Sequence, residues 1–307
     1  MLDNISILTA APILNLQLLL DGLFIGALFI LIAYGLGLVW GVMNVKNLAQ
    51  GDFVIMGGYI AWWLQKSLGT NPIFGVPLAL YLGLPVAIVL MFGFGWAIYL
   101  LIIKRVVYRD MFTSLLATFG LAIVIQQLLN HMFGPEIQAA ESGFPTLEWG
   151  LVSVAVIKFI AFGLTIILAA IVIIFMKYSR MGQAIRATAQ DSRAAKVMGI
   201  DTERVYAFTY ALNAAICAAA GVLIAMIWVI QPFFGLAYSI RAFVVVTAAG
   251  LGNLPGIVTF GLGLGVIEQF GGFVLGAEFQ QAVVVSMLVL VLVVRQIQQS
   301  RQRQAVV

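Results

Sequence analysis

FGLTIILAAIVIIF, residues 162–175, decides the fold. It lies in a charge-free run, 159–176, which as a helix rising 1.5 Å per residue comes close to the ~30 Å hydrocarbon core of a bilayer. Apolar residues follow one another without the polar alternation of a membrane barrel strand, so the run reads as a spanning helix. Working outward, five more stretches lack Asp, Glu, Lys and Arg: 22–45, 67–103, 111–135, 205–240 and 242–267. The 307 residues are 63% hydrophobic and 9% charged, where a soluble domain carries about a quarter charged. With a mean hydropathy of +1.10, the apolar residues are the bulk of the molecule rather than one anchor. The fold class is therefore all-α, a polytopic helical membrane protein in one transmembrane domain over 1–307.

Hydropathy and charge place spans at 17–39, 52–66, 76–103, 111–133, 155–176, 205–230, 238–250, 254–274 and 279–294, eight or nine in all. Two of them, 52–66 and 238–250, are too short to cross alone and are expected to be broken or re-entrant, buried within the protein. The first apolar run has Asp3 before it, no Lys or Arg, and no small-residue cleavage site, so it reads as a span rather than a secretory signal.

Three basic clusters orient the chain: Lys104, Arg105 and Arg109; Lys177, Arg180, Arg186, Arg193, Lys196 and Arg204; Arg295, Arg301 and Arg303. Basic loops stay cytoplasmic. The segment 134–150, with Glu136, Glu141 and Glu148 and no basic residue, falls on the opposite side. Counting spans from there puts the N-terminus outside and the C-terminus in the cytoplasm. The net charge of +4 is topology, not a nucleic-acid footprint, and no nucleic-acid partner is expected.

One Cys (Cys217) and one His (His131) leave no disulfide framework and no Cys/His metal site. A membrane enzyme is disfavoured because no nucleophile, base and orienting group come together and no two carboxylates share a helix face at depth. A secondary transporter should carry ionisable residues deep in several spans, and few are present. The glycines cluster within spans: Gly22 with Gly26, Gly37 with Gly41, Gly93 with Gly95, Gly261 with Gly263 and Gly265, and Gly271 with Gly272. Small residues let helix backbones approach in lipid, where little hydrophobic drive acts between helices.

Two segments break the apolar pattern. In GVMNVKNLAQGDFVIMGGY, residues 41–59, the residues Asn44, Lys46, Asn47, Gln50 and Asp52 interrupt what would otherwise continue as apolar helix, and AAGLGNLPG, 248–256, is a similar interruption containing Asn253. Paired interruptions in the two halves of a chain point to a translocation pathway. The second segment is 177–204. Within it Asp191 can cap a two-turn helix that Gly199 ends, with Ala194, Ala195, Val197 and Met198 forming a small apolar face. Exposed on the cytoplasmic side, that helix wants a protein partner or a lipid surface. Gln126, Gln127, Asn130 and His131 share a face of the fourth span, and Asn213 follows Thr209 by one turn; each can be an interhelical hydrogen bond or pathway lining. Arg241 and Glu268 fall toward the outer half and can form an ion pair there.

These segments also carry a resemblance. GVMNVKNLAQGDFVIMGGYIA (41–61), GQAIRATAQDSRAAKVMGID (182–201) and RAFVVVTAAGLGNLPGIVTFGLGLGVIE (241–268) resemble, in order and spacing, three signatures of the LivH-type permeases of branched-chain amino acid ABC importers. Departures from the family pattern are Leu48, Gln50, Arg241 and Asn253. The resemblance implies a permease of the bacterial inner membrane, bound to membrane lipid. Its partners would be a second related permease or a homodimeric copy, two cytoplasmic ATPase subunits and a periplasmic solute-binding protein. It further implies that Arg186, Gln190, Asp191, Ala195 and Gly199 belong to the coupling helix that docks on the ATPase. Branches of the family carry branched-chain and other amino acids, urea, short amides or aromatic acids. The chain has no G-x-x-x-x-G-K-[ST] phosphate loop, so ATP-Mg is expected on the partner ATPases and no cofactor on this chain.

Overall fold

In a computed structural model the protein is described over residues 12–68, 82–140, 142–149 and 152–304. The first part of the expected span 76–103, through 81, and Glu141 lie outside the described residues. The helices are α1 (Pro12–Met43), α2 (Gln50–Leu68), α3 (Gly83–Val106, with a π-helical stretch at Tyr99–Ile103), α4 (Met111–Phe133) and α5 (Val156–Tyr178). Two short helices follow, α6 (Arg180–Gln190) and α7 (Ser192–Val197). Then come α8 (Thr202–Ile227), α9 (Gly235–Ala249, led in by a 3-10 turn Pro232–Phe234), α10 (Leu254–Leu275) and α11 (Gln280–Gln304). Among the described residues eight helices are long and apolar enough to cross a membrane. The 19-residue α2, polar at its start, is the remaining long helix.

The two spans expected to be short are longer than the sequence reading placed them. α2 runs from Gln50 to Leu68, and α9 with its 3-10 lead runs from Pro232 to Ala249 over 18 residues. Both are continuous; the irregular backbone sits beside them, at 44–49 and 250–253. The sequence reading stopped short because its spans left out Gln50 and Pro232, whereas neighbouring helices give Gln50 its partners and Pro fits the first turn of a helix.

α8 is the central post. Nearly every residue from Val205 to Met226 is buried, and Tyr210 and Cys217 at its middle are fully so. Around it α1, α2 and α3 pack, while α3, α4 and α5 turn outward faces of Leu, Ile, Val and Phe toward lipid, as in Leu100, Phe112, Ile167 and Ile174. Close approach is made by glycine at several crossings, two of which join α1 to α10 and α2 to α8. Gly22 and Gly26 of α1 lie against Gly265 and Gly261 of α10, so near that a Cβ on Gly26 would meet the Leu262 backbone at 2.8 Å. Gly57 and Gly58 of α2 lie against Ala218 and Gly221 of α8. Gly41, Gly93 and Gly263 have open space where a Cβ would stand, so for these three the packing expected from their clustering is not made within the chain.

The acidic segment holds a short antiparallel hairpin absent from the sequence reading, β1 (Thr146–Trp149) with β2 (Val152–Ala155). Upstream of it, Gln138 and Ile230 exchange backbone hydrogen bonds of 2.9 and 2.7 Å, tying this segment to the α8–α9 connection. Opposite this end stand α6 and α7, so the chain has one basic end and one acidic end.

Candidate functional site

The break at 44–49 is where the sequence pattern asked for explanation. Non-helical backbone inside a helical bundle must find partners for N–H and C=O groups that water cannot reach. Here side chains from two helices and from the segment itself supply them. The Leu48 N–H donates to Thr118 Oγ1 of α4 at 3.2 Å, and that hydroxyl lies 3.1 Å from the Lys46 carbonyl oxygen. Ser239 of α9 donates to the Leu48 carbonyl at 2.7 Å and accepts from the Gly51 N–H at 2.8 Å. Asn47 Oδ1 accepts from the Ala49 N–H at 3.2 Å. The chain enters the segment at Asn44, whose φ of 54° is a left-handed conformation that Asn tolerates.

Behind the break, two amides from distant parts of the chain face each other. Gln50 Nε2 donates to Asn213 Oδ1 at 2.9 Å, and Asn213 Nδ2 donates to Gln50 Oε1 at 3.0 Å. Gln50 Nε2 also lies 3.0 Å from the Ile32 carbonyl of α1, so this clasp joins α1, α2 and α8. Asn47, Gln50, Asp52 and Asn213 are completely buried in the single chain. Asp52 Oδ1 accepts from Gln126 Nε2 of α4 at 2.9 Å, while its other oxygen has no hydrogen-bond partner among the described residues. Its position in the first turn of α2 sets the carboxylate against the positive end of that helix.

The structure thus brings Asn47, Gln50 and Asn213 together, and Asp52 with Gln126. Asn130 is half-buried and its Oδ1 is unpaired among the described residues. Asn44 is exposed, and Asn253 caps α10 through the Gly256 N–H at 3.1 Å, with its Nδ2 donating to the Ala249 carbonyl. Thr118 and Ser239 escaped the sequence reading; their signal is a lone hydroxyl within an apolar helix, which is too common to single out. Replacing Ser239 by Ala leaves the Leu48 carbonyl and the Gly51 N–H without their partner, at about 1–3 kcal/mol for each orphaned group. A clear fall in the thermal unfolding midpoint of the purified protein is the expected result.

At the basic end, Arg186 of α6 donates to the Met176 carbonyl, and a second guanidinium N–H reaches the Lys177 carbonyl at 3.4 Å. α6 is thereby fastened to the end of α5. Gln190 ends α6, and Asp191 turns the chain into α7, accepting from the N–H groups of Arg193 at 2.8 Å and Ala194 at 3.0 Å. Those two donors hold the Asp191 carboxyl below the usual carboxylate range. Gly199, at φ 86°, closes the other end, and the Ile200 N–H returns to the Ala195 carbonyl at 3.0 Å. Ala195 is buried against the body, whereas Val197 and Met198 are 86% and 81% exposed. The expected four-residue face is therefore divided: Ala195 turns inward, and the outward apolar knob is Val197 and Met198.

At the acidic end a cavity of about 470 Å³ opens between the end of α8, the start of α9, α10 and the start of α11. Arg241 and Glu268 line it and pair with each other, Arg241 Nε lying 3.0 Å from Glu268 Oε2 and its terminal nitrogen donating to Oε1. Their side chains are 13% and 4% exposed.

The family model described as "Branched-chain amino acid transport system / permease component" matches residues 18–294. The chain belongs to that permease family. The high-affinity branched-chain amino acid permease protein LivH of Escherichia coli (strain K12) is 31% identical over 292 residues, covering 91% of this chain and 93% of LivH. BraD of Pseudomonas aeruginosa is 31% identical over 296 residues, 91% of this chain and 94% of BraD. A probable LivH of Methanocaldococcus jannaschii is 28% identical, covering 86% and 83%. Among solved structures, PsaBC from Streptococcus pneumoniae in complex with Fab aligns with a TM-score of 0.50 over 95% of each chain at 14% identity, a likeness of fold alone. The family's members are transport permeases.

Proposed function

We propose that this chain is the membrane-spanning subunit of an ABC importer that carries branched-chain amino acids across the bacterial inner membrane, with its N-terminus outside and its C-terminus in the cytoplasm. The observation that carries the reading is α7: a short helix capped at both ends, fastened through α6 to α5, and holding Val197 and Met198 out with no partner in the described chain. An apolar knob on a rigid mount fits a groove on another protein better than it fits water. In this reading the partner is a cytoplasmic ATPase, ATP-Mg is bound and hydrolysed there, and no cofactor is held by this chain. A second permease copy and a periplasmic solute-binding protein complete the importer.

The capping geometry supplies the mechanics. A helix whose ends are pinned by Asp191 and Gly199 moves as one piece, so closure of the ATPases on ATP displaces α7 without bending it. The displacement reaches α5 through the Arg186 hydrogen bonds and α8 through the short link to Thr202, where Asp201 caps α8 by accepting from the Arg204 N–H at 3.1 Å. A cavity of about 570 Å³ between α1, α5 and α6 leaves room for this shift. α8 bears Asn213, so tilting it acts directly on the clasp with Gln50 and on the position of α2.

The solute is tested on the cognate binding protein. Leucine, isoleucine or valine should raise its unfolding temperature, because a ligand that binds only the native state stabilises it by mass action. A shift with urea, a short amide or an aromatic acid alone would overturn the amino-acid reading and leave the permease reading standing.

A further inference from the structure

We propose that Arg241 and Glu268 form a transit subsite for a zwitterion, releasing each other to receive the α-carboxylate and α-ammonium groups of an amino acid. The proposal rests on the amino-acid reading above and deepens it.

Three observations carry it. First, the pair faces a cavity. Its volume of about 470 Å³ lies within the ~300–1,000 Å³ common to small-molecule sites, and Trp228 and Phe234 give it an apolar wall beside the charges. An ion pair serving only to hold α9 to α10 has no need of such a chamber. Second, Arg241 is held independently of Glu268. Its guanidinium lies 5.5 Å from the Phe29 ring centre and 5.6 Å from that of Tyr238, so two aromatic faces keep the cation in place when the carboxylate lets go. Its planar fork then presents two N–H donors, the geometry suited to a carboxylate. Third, the exchange balances charge. Breaking one buried pair is costly when it leaves an unpaired charge. A zwitterion brings one negative and one positive group, so one ion pair becomes two and neither protein charge is stranded. An uncharged amide or urea leaves the original pair the better partner, and an anionic acid leaves Glu268 without a cation. The cavity therefore selects for zwitterions among small polar solutes whatever their side chain.

The test uses the importer assembled in nanodiscs with Ala277→Cys, an exposed position on the cavity wall; the native Cys217 is buried and does not report. The rate of reaction with a bulky polar maleimide is followed as L-leucine is added. Leucine should slow labelling about tenfold once it exceeds its Kd by about ten, by simple mass action. N-acetyl-leucinamide, of similar shape and without charge, should give no protection. Arg241→Gln and Glu268→Gln should each lose the leucine effect. Absence of protection by leucine, equal protection by the uncharged analogue, or protection surviving both substitutions would overturn the subsite. The comparison of solutes is made with the pair intact, so it decides the matter even if the neutralised variants do not fold. Leucine uptake in proteoliposomes is measured alongside. Uptake without protection removes the subsite alone; absence of uptake removes the amino-acid reading on which it rests.

Discussion

Gly221→Ala unfolds this protein far more readily than its single added methyl group implies. A Cβ on Gly221 would collide with the Val54 carbonyl oxygen and lie 3.0 Å from the Gly58 nitrogen. Both are backbone of α2, and backbone cannot swing aside as a side chain does, so α2 must retreat from α8 as a whole. That retreat pulls Gln50 from Asn213 and Gly51 from Ser239, breaking the clasp that supplies the non-helical segment with its partners. Overpacking of a rigid core costs ~1–3 kcal/mol, and each stranded buried polar group adds ~1–3 kcal/mol. At ~2–4 °C per kcal/mol for a domain of 150–250 residues, the fall in midpoint should be about 10 °C. Gly221→Val should give no folded protein in detergent. Gly93→Ala is the control: Gly93 is exposed, nothing stands within 4 Å of its Cβ position, and Ala is the better helix former. Equal midpoints for Gly221→Ala and Gly93→Ala would refute the close approach of α2 and α8.

The contrast between these two glycines shows where sequence reading succeeds and where it stops. That Gly93 and Gly221 both sit in apolar helices is plain from the chain; that one touches another backbone and the other faces outward depends on which helices cross. The same limit applies to the polar residues. Asn47, Gln50 and Asp52 announced a break in the apolar pattern, and the break is there. The groups that satisfy it lie far along the chain, Asn213 and Gln126 for the Gln50 and Asp52 side chains and Thr118 and Ser239 for the backbone of 46–51, each surrounded by residues that would suit any buried helix. Local pattern fixes element type through hydropathy and ends through caps, which is why Asp191, Gly199 and most of the spans were legible. It cannot assign partners across 70 to 190 positions of sequence. The hairpin Thr146–Ala155 was missed for a different reason: four-residue strands beside a long apolar run offer too little period-2 pattern to separate them from the start of the span.

Gly199→Val should disable transport and leave the membrane bundle standing. The residue holds φ 86°, which a β-branched side chain cannot adopt without strain of about 1–3 kcal/mol. Nothing else opposes the substitution, for the space around a Cβ there is open. The strain therefore falls on the end of α7: the Ile200 N–H leaves the Ala195 carbonyl, the last turn loosens, and Val197 and Met198 lose their fixed direction. None of the contacts around α8 depends on that turn, so the unfolding midpoint of the bundle should stay within a few degrees of the parent. In the proposed coupling role the knob must sit where the partner's groove expects it, and a misplaced apolar anchor typically costs a binding interface more than 1 kcal/mol. With about 1.4 kcal/mol corresponding to each factor of ten, uptake should fall at least about fivefold, and ATP hydrolysis by the assembled importer should no longer rise with loaded binding protein. Gly199→Asn separates conformation from size. Asn adopts the left-handed conformation readily, so this variant should recover most of the uptake that Val removes. If Val and Asn were equally active, the end of α7 would carry no coupling; if they were equally inactive, the defect would lie in the lost glycine itself and not in the direction of the knob.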